Sequence, residues 1–328
     1  MRVSFVQPSA VTDHGVADVP ALLTRDDGFV WIDIDDFTDE AAHLLETQFS
    51  AHPLVVQAFR QRNFVPTLHK YDAHLFLVLH TPLAAPGGHV HALELDQLVG
   101  ARYLVTSHGP LNPAVAPAEA TAETDQVRRR IEQGRFWPTS PDEVSYAIGS
   151  AIARRQGAAI RAVANRLPAL EGDVMDSDFH RPEELLDQLF LLRHELLVSR
   201  TMAAQCHEVY GRLVSLDQQT GAEAARRRAA DLREQFDRTT SVADGESRFL
   251  FGVIELYQTR VTTKMTLAME RLAVIAAITL PVTAIASIYG MNIIANEGTH
   301  IGQLVFVVAV MLAISLWLLR WARRQGWW

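Results

Sequence analysis

Six residues near the end of the chain recur at helical spacing. Met269, Leu272, Ala276, Leu280, Thr283 and Ser287 follow one another at steps of 3, 4, 4, 3 and 4, so a helix brings them onto one face. The lower half of that face is apolar and the upper half offers hydroxyl oxygens. In a ring of identical helices it would stack a hydrophobic constriction, able to gate by dewetting, beneath a layer of oxygen ligands. The same spacing suits close helix packing through the small residues Ala276, Ala284 and Ser287, and spacing alone leaves both readings open. Tyr289-Gly290-Met291-Asn292 stands at the outer end of the stripe. Elsewhere His89 and His91 lie two apart, on one face if extended, with His69, His74 and His80 nearby in sequence. Two strand histidines are an incomplete zinc site, which wants three or four ligands; ordinary surface histidines are the plainer reading.

The elements that must position the stripe are apolar. No Asp, Glu, Lys or Arg occurs from Leu272 to Asn296, and after Glu297 none occurs until Arg320. Residues 272–292 and 301–320 are each long enough to cross a hydrocarbon core of about 30 Å. A buried hairpin in a soluble protein is the alternative, but two uncharged runs of this length rarely occur together outside membranes. Arg260, Lys264 and Arg271 flank the first span and Arg320, Arg323 and Arg324 follow the second, while the loop 293–300 has no basic residue. The positive-inside rule then places both termini in the cytoplasm and the loop outside. Trp317, Trp321, Trp327 and Trp328 fit an interfacial belt at the cytoplasmic end. Two spans cannot enclose a water-filled path, so the chain is either merely anchored, as a cytosolic sensor on a passive hairpin, or forms a pore by assembling copies.

Upstream, the chain changes character. The overall mean hydropathy of +0.05 and formal charge of −8 average over two solvents: residues 1–271 carry −10, and the last 57 residues carry +2. So acidic a body disfavours nucleic acid as a partner. The one cysteine, Cys206, excludes an internal disulfide and a multi-Cys zinc site. The start, Met1 to Pro8, has no apolar core of a secretory signal, so the N-terminal part is expected to stay where it is made. Two lysines against 28 arginines, with abundant alanine, match a GC-rich bacterial coding bias. No nucleophile–base constellation or Gly-rich phosphate loop occurs in a credible context, so no enzyme and no catalytic cofactor are expected.

Residues 1–135 predict a small α/β domain: 28–34 alternates with period two, and 71–80, 90–95 and 101–107 are rich in strand formers. Thr38 can cap a helix, and Pro53 suits the first position of another. Pro138 and Pro141 open an antiparallel helical hairpin over 136–220, whose second arm carries Leu185, Leu189, Leu192, Leu196 and Ser199 on one stripe. A long stalk helix over 221–271 feeds the first span; some 65 residues of continuous helix would be about 100 Å long. A basic tail, 321–328, closes the chain. The fold class is thus an α+β cytoplasmic domain, a small α/β sandwich plus long helices, followed by two transmembrane helices.

At this point a resemblance becomes specific. Gly290-Met291-Asn292 at the exit of the penultimate span is the hallmark of the CorA family of divalent-cation channels. The similarity extends through Lys264-Met265, Leu280-Pro281, Thr283 and Ile288, and more weakly through Trp31-Ile32-Asp33, His52-Pro53-Leu54, Tyr71-Asp72 and residues 75–80. It implies a homopentameric, funnel-shaped channel in the bacterial inner membrane, with the first span lining the pore. Mg²⁺, with Co²⁺ or Ni²⁺ admitted, is then both substrate and regulatory ligand, and membrane lipid the other partner. The resemblance places Asp231 and Glu255 where family members carry acidic gating residues, though both also suit the solvated face of a charged helix. Arg320, Arg323 and Arg324 resemble the positive ring at the funnel exit; plain membrane anchoring is the alternative. Mg²⁺ gives up its water reluctantly, and a ring of Asn292 amides could hydrogen-bond those waters without stripping them. Gly290 would let the backbone turn sharply or neighbouring helices approach. One departure stands out. Magnesium-carrying members commonly have Met-Pro-Glu-Leu soon after the motif, whereas the loop here offers Glu297 as its one acid. A ring of Glu297 could still concentrate cations, and the zinc-transporting branch stays open.

Overall fold

The computed structural model describes residues 1–110, 112–176, 182–220, 223–290 and 301–324. It divides into two compact units, Met1–Gly252 and the part from Val253 onward.

The first unit is built on one seven-stranded sheet. Its strands are β1 (Arg2–Gln7), β2 (Ala10–His14), β3 (Phe29–Ile34), β4 (Thr67–Lys70), β5 (His74–Ala84), β6 (Val90–Gly100) and β7 (Tyr103–Ser107), in the order β2-β1-β3-β7-β6-β5-β4. Only β3 and β7 run parallel, with Asp33 opposite Thr106; the other neighbours are antiparallel. The period-two stretch forms β3 as expected. Its six residues are all buried, because helices cover both faces.

On one face lie α1 (Val19–Leu23), α2 (Asp39–Gln48) and α3 (Pro53–Arg60), closing a core of Phe5, Ile32, Ile34, Leu45, Phe59, Phe76 and Leu98. Thr38 caps α2 by accepting the Ala41 N–H, and Pro53 opens α3 behind His52. After β7 the chain forms α4 (Pro117–Ala120), α5 (Ala122–Glu132), α6 (Pro141–Ala164), α7 (Leu167–Met175) and α8 (Pro182–Thr220). These cover the other face around Trp31, Leu79, Leu104, Ile148, Ile152, Tyr210 and Phe236. The stripe read on the second arm is the buried one: Leu185, Leu189, Leu192, Leu196 and Ser199 are at most 7% exposed. The first arm is not one helix. It is interrupted at Asn165–Arg166, just before Pro168, which cannot supply an N–H to a continuous ladder.

The stalk and the first span are a single helix, α9 (Glu223–Gly290), which continues through Pro281. Arg228 fastens its start to Asp142 and Glu143 in the first turn of α6. The second span is α10 (Ile301–Arg324), so helix runs on through the basic residues assigned to the tail.

Candidate functional site

α9 and α10 are long and apolar enough to cross a membrane, and 6% and 0% of their most apolar windows are buried. That excludes the buried hairpin of a soluble core. The residues that are covered follow a helical period. In α10 they are Val307, Val310, Met311, Ile314, Ser315, Leu318, Leu319 and Ala322; in the span portion of α9, from Leu272 to Ile288, they are Val274, Ile278, Pro281, Val282 and Ile285. Each helix therefore keeps one face covered, as two helices packed side by side do. At about 100° per residue, Met269, Leu272, Ala276, Leu280, Thr283 and Ser287 lie on the opposite side of α9 from Val274. All six are exposed. The predicted stripe is thus one face, and it is not the face by which α9 packs within this chain.

The Thr283 hydroxyl on that face is prepared as an acceptor. Thr283 Oγ1 donates to the Thr279 carbonyl at 2.8 Å, so its proton points back into the helix and its lone pairs point away. Pro281 lacks the N–H that would reach the Ala277 carbonyl. Gly290 is the last helical residue of α9. A Cβ at Gly290 would meet nothing within 4 Å. Met291, Asn292, the loop 293–300 with Glu297, and Trp327 and Trp328 lie outside the described residues. Arg320, Arg323 and Arg324 are exposed in the last turns of α10, where cations suit the negative end of the helix dipole.

Asp231 and Glu255 belong to different compact units and are separate candidates. Asp231 is half-buried and its Oδ2 accepts from the Tyr146 hydroxyl and from Gln235 Nε2, each at 2.6 Å. Burial, then the hydrogen bond to Asp231, holds the Tyr146 phenol protonated by raising its pKa. Glu255 is exposed, and its carbonyl accepts from Thr259 Oγ1. Sequence reasoning did not anticipate Tyr146 and Gln235; only the α6–α9 packing brings Tyr146 to the acid.

The histidines are not gathered. His69 is exposed on β4, His91 pairs with Leu83 across β5 and β6, and His89 precedes β6. His80 is buried with Nε2 at 2.7 Å from the Asn63 carbonyl, and buried His74 stands near the Tyr103 hydroxyl. Among the described residues, one group brings three metal-capable side chains together: Asp33, Asp35 and His108, whose ligand atoms lie within 4.8 Å. It sits at the carboxyl ends of parallel β3 and β7. Asp33 Oδ1 accepts from Thr106 Oγ1 and lies 3.1 Å from His108 Nε2, and Trp31 Nε1 donates to Thr106 Oγ1. Arg128 stacks 4.5 Å over the Trp31 ring. Burial pushes the Asp33 carboxyl up, but His108, Thr106 and Arg128 more than offset it, leaving its pKa below the ordinary value. Burial likewise lowers His108, and Asp33 outweighs it, leaving the imidazole above its ordinary value. Asp33 is thus already engaged by Thr106 and His108, with Arg128 close enough to lower its pKa, so the group is knit into the sheet as an internal polar network. Its sequence signal was the acid of Trp31-Ile32-Asp33, facing inward on a strand otherwise apolar.

A mixed α/β unit whose last helix runs on into an apolar hairpin defines a two-span membrane protein. The model of the CorA-like Mg²⁺ transporter protein family matches residues 26–324, and the chain belongs to that family. It is 26% identical over 251 residues to the cobalt/magnesium transport protein CorA of Thermotoga maritima, covering 74% of this chain and 67% of that one. Its fold is that of the complete CorA magnesium transporter of Methanocaldococcus jannaschii, with TM-score 0.81 and 16% identity over 100% of this chain and 99% of that one. The ZntB cytoplasmic domain of Vibrio parahaemolyticus shares the fold over 81% of this chain and 98% of its own, with TM-score 0.58 and 12% identity. The protein is accordingly a divalent-metal transporter of the CorA superfamily, a transport family and not a catalytic one, with the cations as its substrate.

Proposed function

We propose that the chain assembles as a homopentamer and passes Mg²⁺, with Co²⁺ or Ni²⁺ admitted, into the cytoplasm of a bacterium through a pore lined by the exposed stripe of α9. The observation that carries the reading is the helix phase. The face opposite Val274 holds a run of apolar residues followed by Thr283 and Ser287, and it leads directly to Gly290-Met291-Asn292. Asn292 amides at the mouth hydrogen-bond the waters of a hydrated ion, and Glu297 raises the local cation concentration. No Asp, Glu, Lys, Arg or His lies between Leu272 and Asn296 or between Ile301 and Leu319, so a proton relay is disfavoured. The membrane potential supplies the drive, about 4.6 kcal/mol per divalent ion at 100 mV. Both termini are cytoplasmic, with Arg320, Arg323 and Arg324 at the inner surface. Divalent ions bound at Asp231 and Glu255 relieve repulsion between acidic bodies and hold the pore shut when internal metal is plentiful.

Zinc is the second reading, favoured by the lack of Met-Pro-Glu-Leu in the loop 293–300 and by the fold shared with a ZntB domain. Flux into liposomes with Mg²⁺ and Zn²⁺ in competition separates the two. Asn292→Ala is expected to reduce Mg²⁺ flux by tenfold or more. Purified protein that passes no divalent ion, with Asn292→Ala changing nothing, would leave only a passively anchored sensor.

A further inference from the structure

A cavity of about 260 Å³ lies between α6 and α9 in the first unit. Arg154, Gly157 and Arg161 come from α6, at i, i+3 and i+7 on one face; Gln235, Arg238 and Thr239 face them from α9. No carboxylate lines it, although residues 1–271 carry −10 overall. Among the described residues, neither Arg154 nor Arg161 meets a carboxylate within ion-pair distance, while Arg238 has only an exposed i,i+4 partner, Glu234, at 3.3 Å. Such exposed pairs hold a guanidinium weakly.

The neutral groups have already used their protons. Thr239 Oγ1 donates to the Gln235 carbonyl, and Gln235 Nε2 donates to Asp231 and Ser150. The donors left to the cavity are therefore guanidiniums, and Ile160 and Val242 supply apolar wall. A sugar or amide ligand would want mixed donors and acceptors. A site that offers only forked cationic donors matches phosphate oxygens. Gly157 keeps the floor open: a Cβ there would stand 3.3 Å from Arg161 Nη1 and 4.0 Å from Thr239 Oγ1. We infer that this cavity binds a phosphate chain, that of an inorganic oligophosphate or of a nucleoside triphosphate, one helical turn along α9 from Asp231. Crowding by Arg130, after burial, also lowers the Arg154 pKa, a strain that an anion would relieve.

The test is equilibrium binding of tripolyphosphate, and separately of ATP, to the full chain in nanodiscs of zwitterionic lipid, with chelator present so that no metal bridges the two. Saturable binding is expected, weakened about tenfold or more in Arg154→Ala/Arg161→Ala. Gly157→Leu, which keeps every charge and fills the floor, should weaken it comparably, and melting curves without anion check that both variants fold. Equal affinity for the two probes assigns recognition to the phosphates alone; tighter ATP binding adds a contact to the nucleoside, and both support the site. Absence of saturable binding, or equal binding by all three proteins, overturns it. So does loss of subunit cross-linking in the double variant without any phosphate binding, since the arginines would then belong to a contact with a neighbouring subunit's acids.

Discussion

Asp33 shows how much one buried acid can organise. Its carboxylate ties β3 to β7 through Thr106, and to His108 beyond the end of β7. Removing its charge takes from buried His108 its closest acidic partner and leaves Arg128 with the more distant Asp13 at 3.9 Å. Asp33→Asn is expected to cost about 3–5 kcal/mol of stability, read as a lower melting temperature of the solubilised chain. The pH dependence follows from the two shifts. Asp33 is depressed, so its contribution is present above the ordinary carboxylate value and is lost as pH falls through its lower folded value. His108 is raised, so its contribution is complete below about pH 6.5 and is lost as pH rises through its folded value. Stability should therefore fall on both the acid and the alkaline side, and Asp33→Asn should flatten both arms.

At the scale of elements, the phase of α9 makes a sharp prediction. Cysteines placed singly at Leu280, Thr283 and Ser287 should react with a water-soluble thiol reagent in liposomes, whereas cysteines at Val274, Ile278 and Ile285 should be about tenfold slower or inert. Equal rates on both faces would remove the stripe from the ion path. The native Cys206 does not interfere, since it is buried and burial pushes its thiol up to about 11. This phase was legible in the sequence because spacing along a helix is fixed by 3.6 residues per turn. The strands β3, β5, β6 and β7 were legible for the same reason, through alternation and Gly–Pro punctuation. What the sequence did not reveal is pairing between distant segments. Nothing in Tyr146 announces that it will hold Asp231, 85 positions away, and nothing in Asp33 names His108. Nor did β1, β2 and β4 stand out, being short or mixed in polarity and completed by their neighbours in the sheet.

For the whole molecule, an acidic body joined to a basic, apolar foot predicts a response to internal metal. Millimolar Mg²⁺ should protect the chain from limited proteolysis if divalent ions draw acidic bodies together. Asp231→Ala and Glu255→Ala should each raise the Mg²⁺ concentration for half-protection, severalfold or more. Unchanged protection in both would take these acids out of the gate. Asp231→Ala also frees Tyr146 and Gln235, so Asp231→Asn, which keeps an acceptor, separates loss of charge from loss of that contact.

The threonines of α9 carry one more implication, a mechanical one. Thr259, Thr262, Thr263 and Thr266 each donate to the carbonyl four residues back, as Thr283 does, and Thr279 donates to the one three back. A carbonyl that shares itself with a hydroxyl holds its rung of the backbone ladder less tightly, and such bonds bend helices. Pro281 removes one rung altogether. The run from Thr259 to Thr283 is accordingly expected to bend more readily than a helix without such bonds. An elastic load on α9 is absorbed there as curvature, at little cost, before any packed side chain has to change its neighbours.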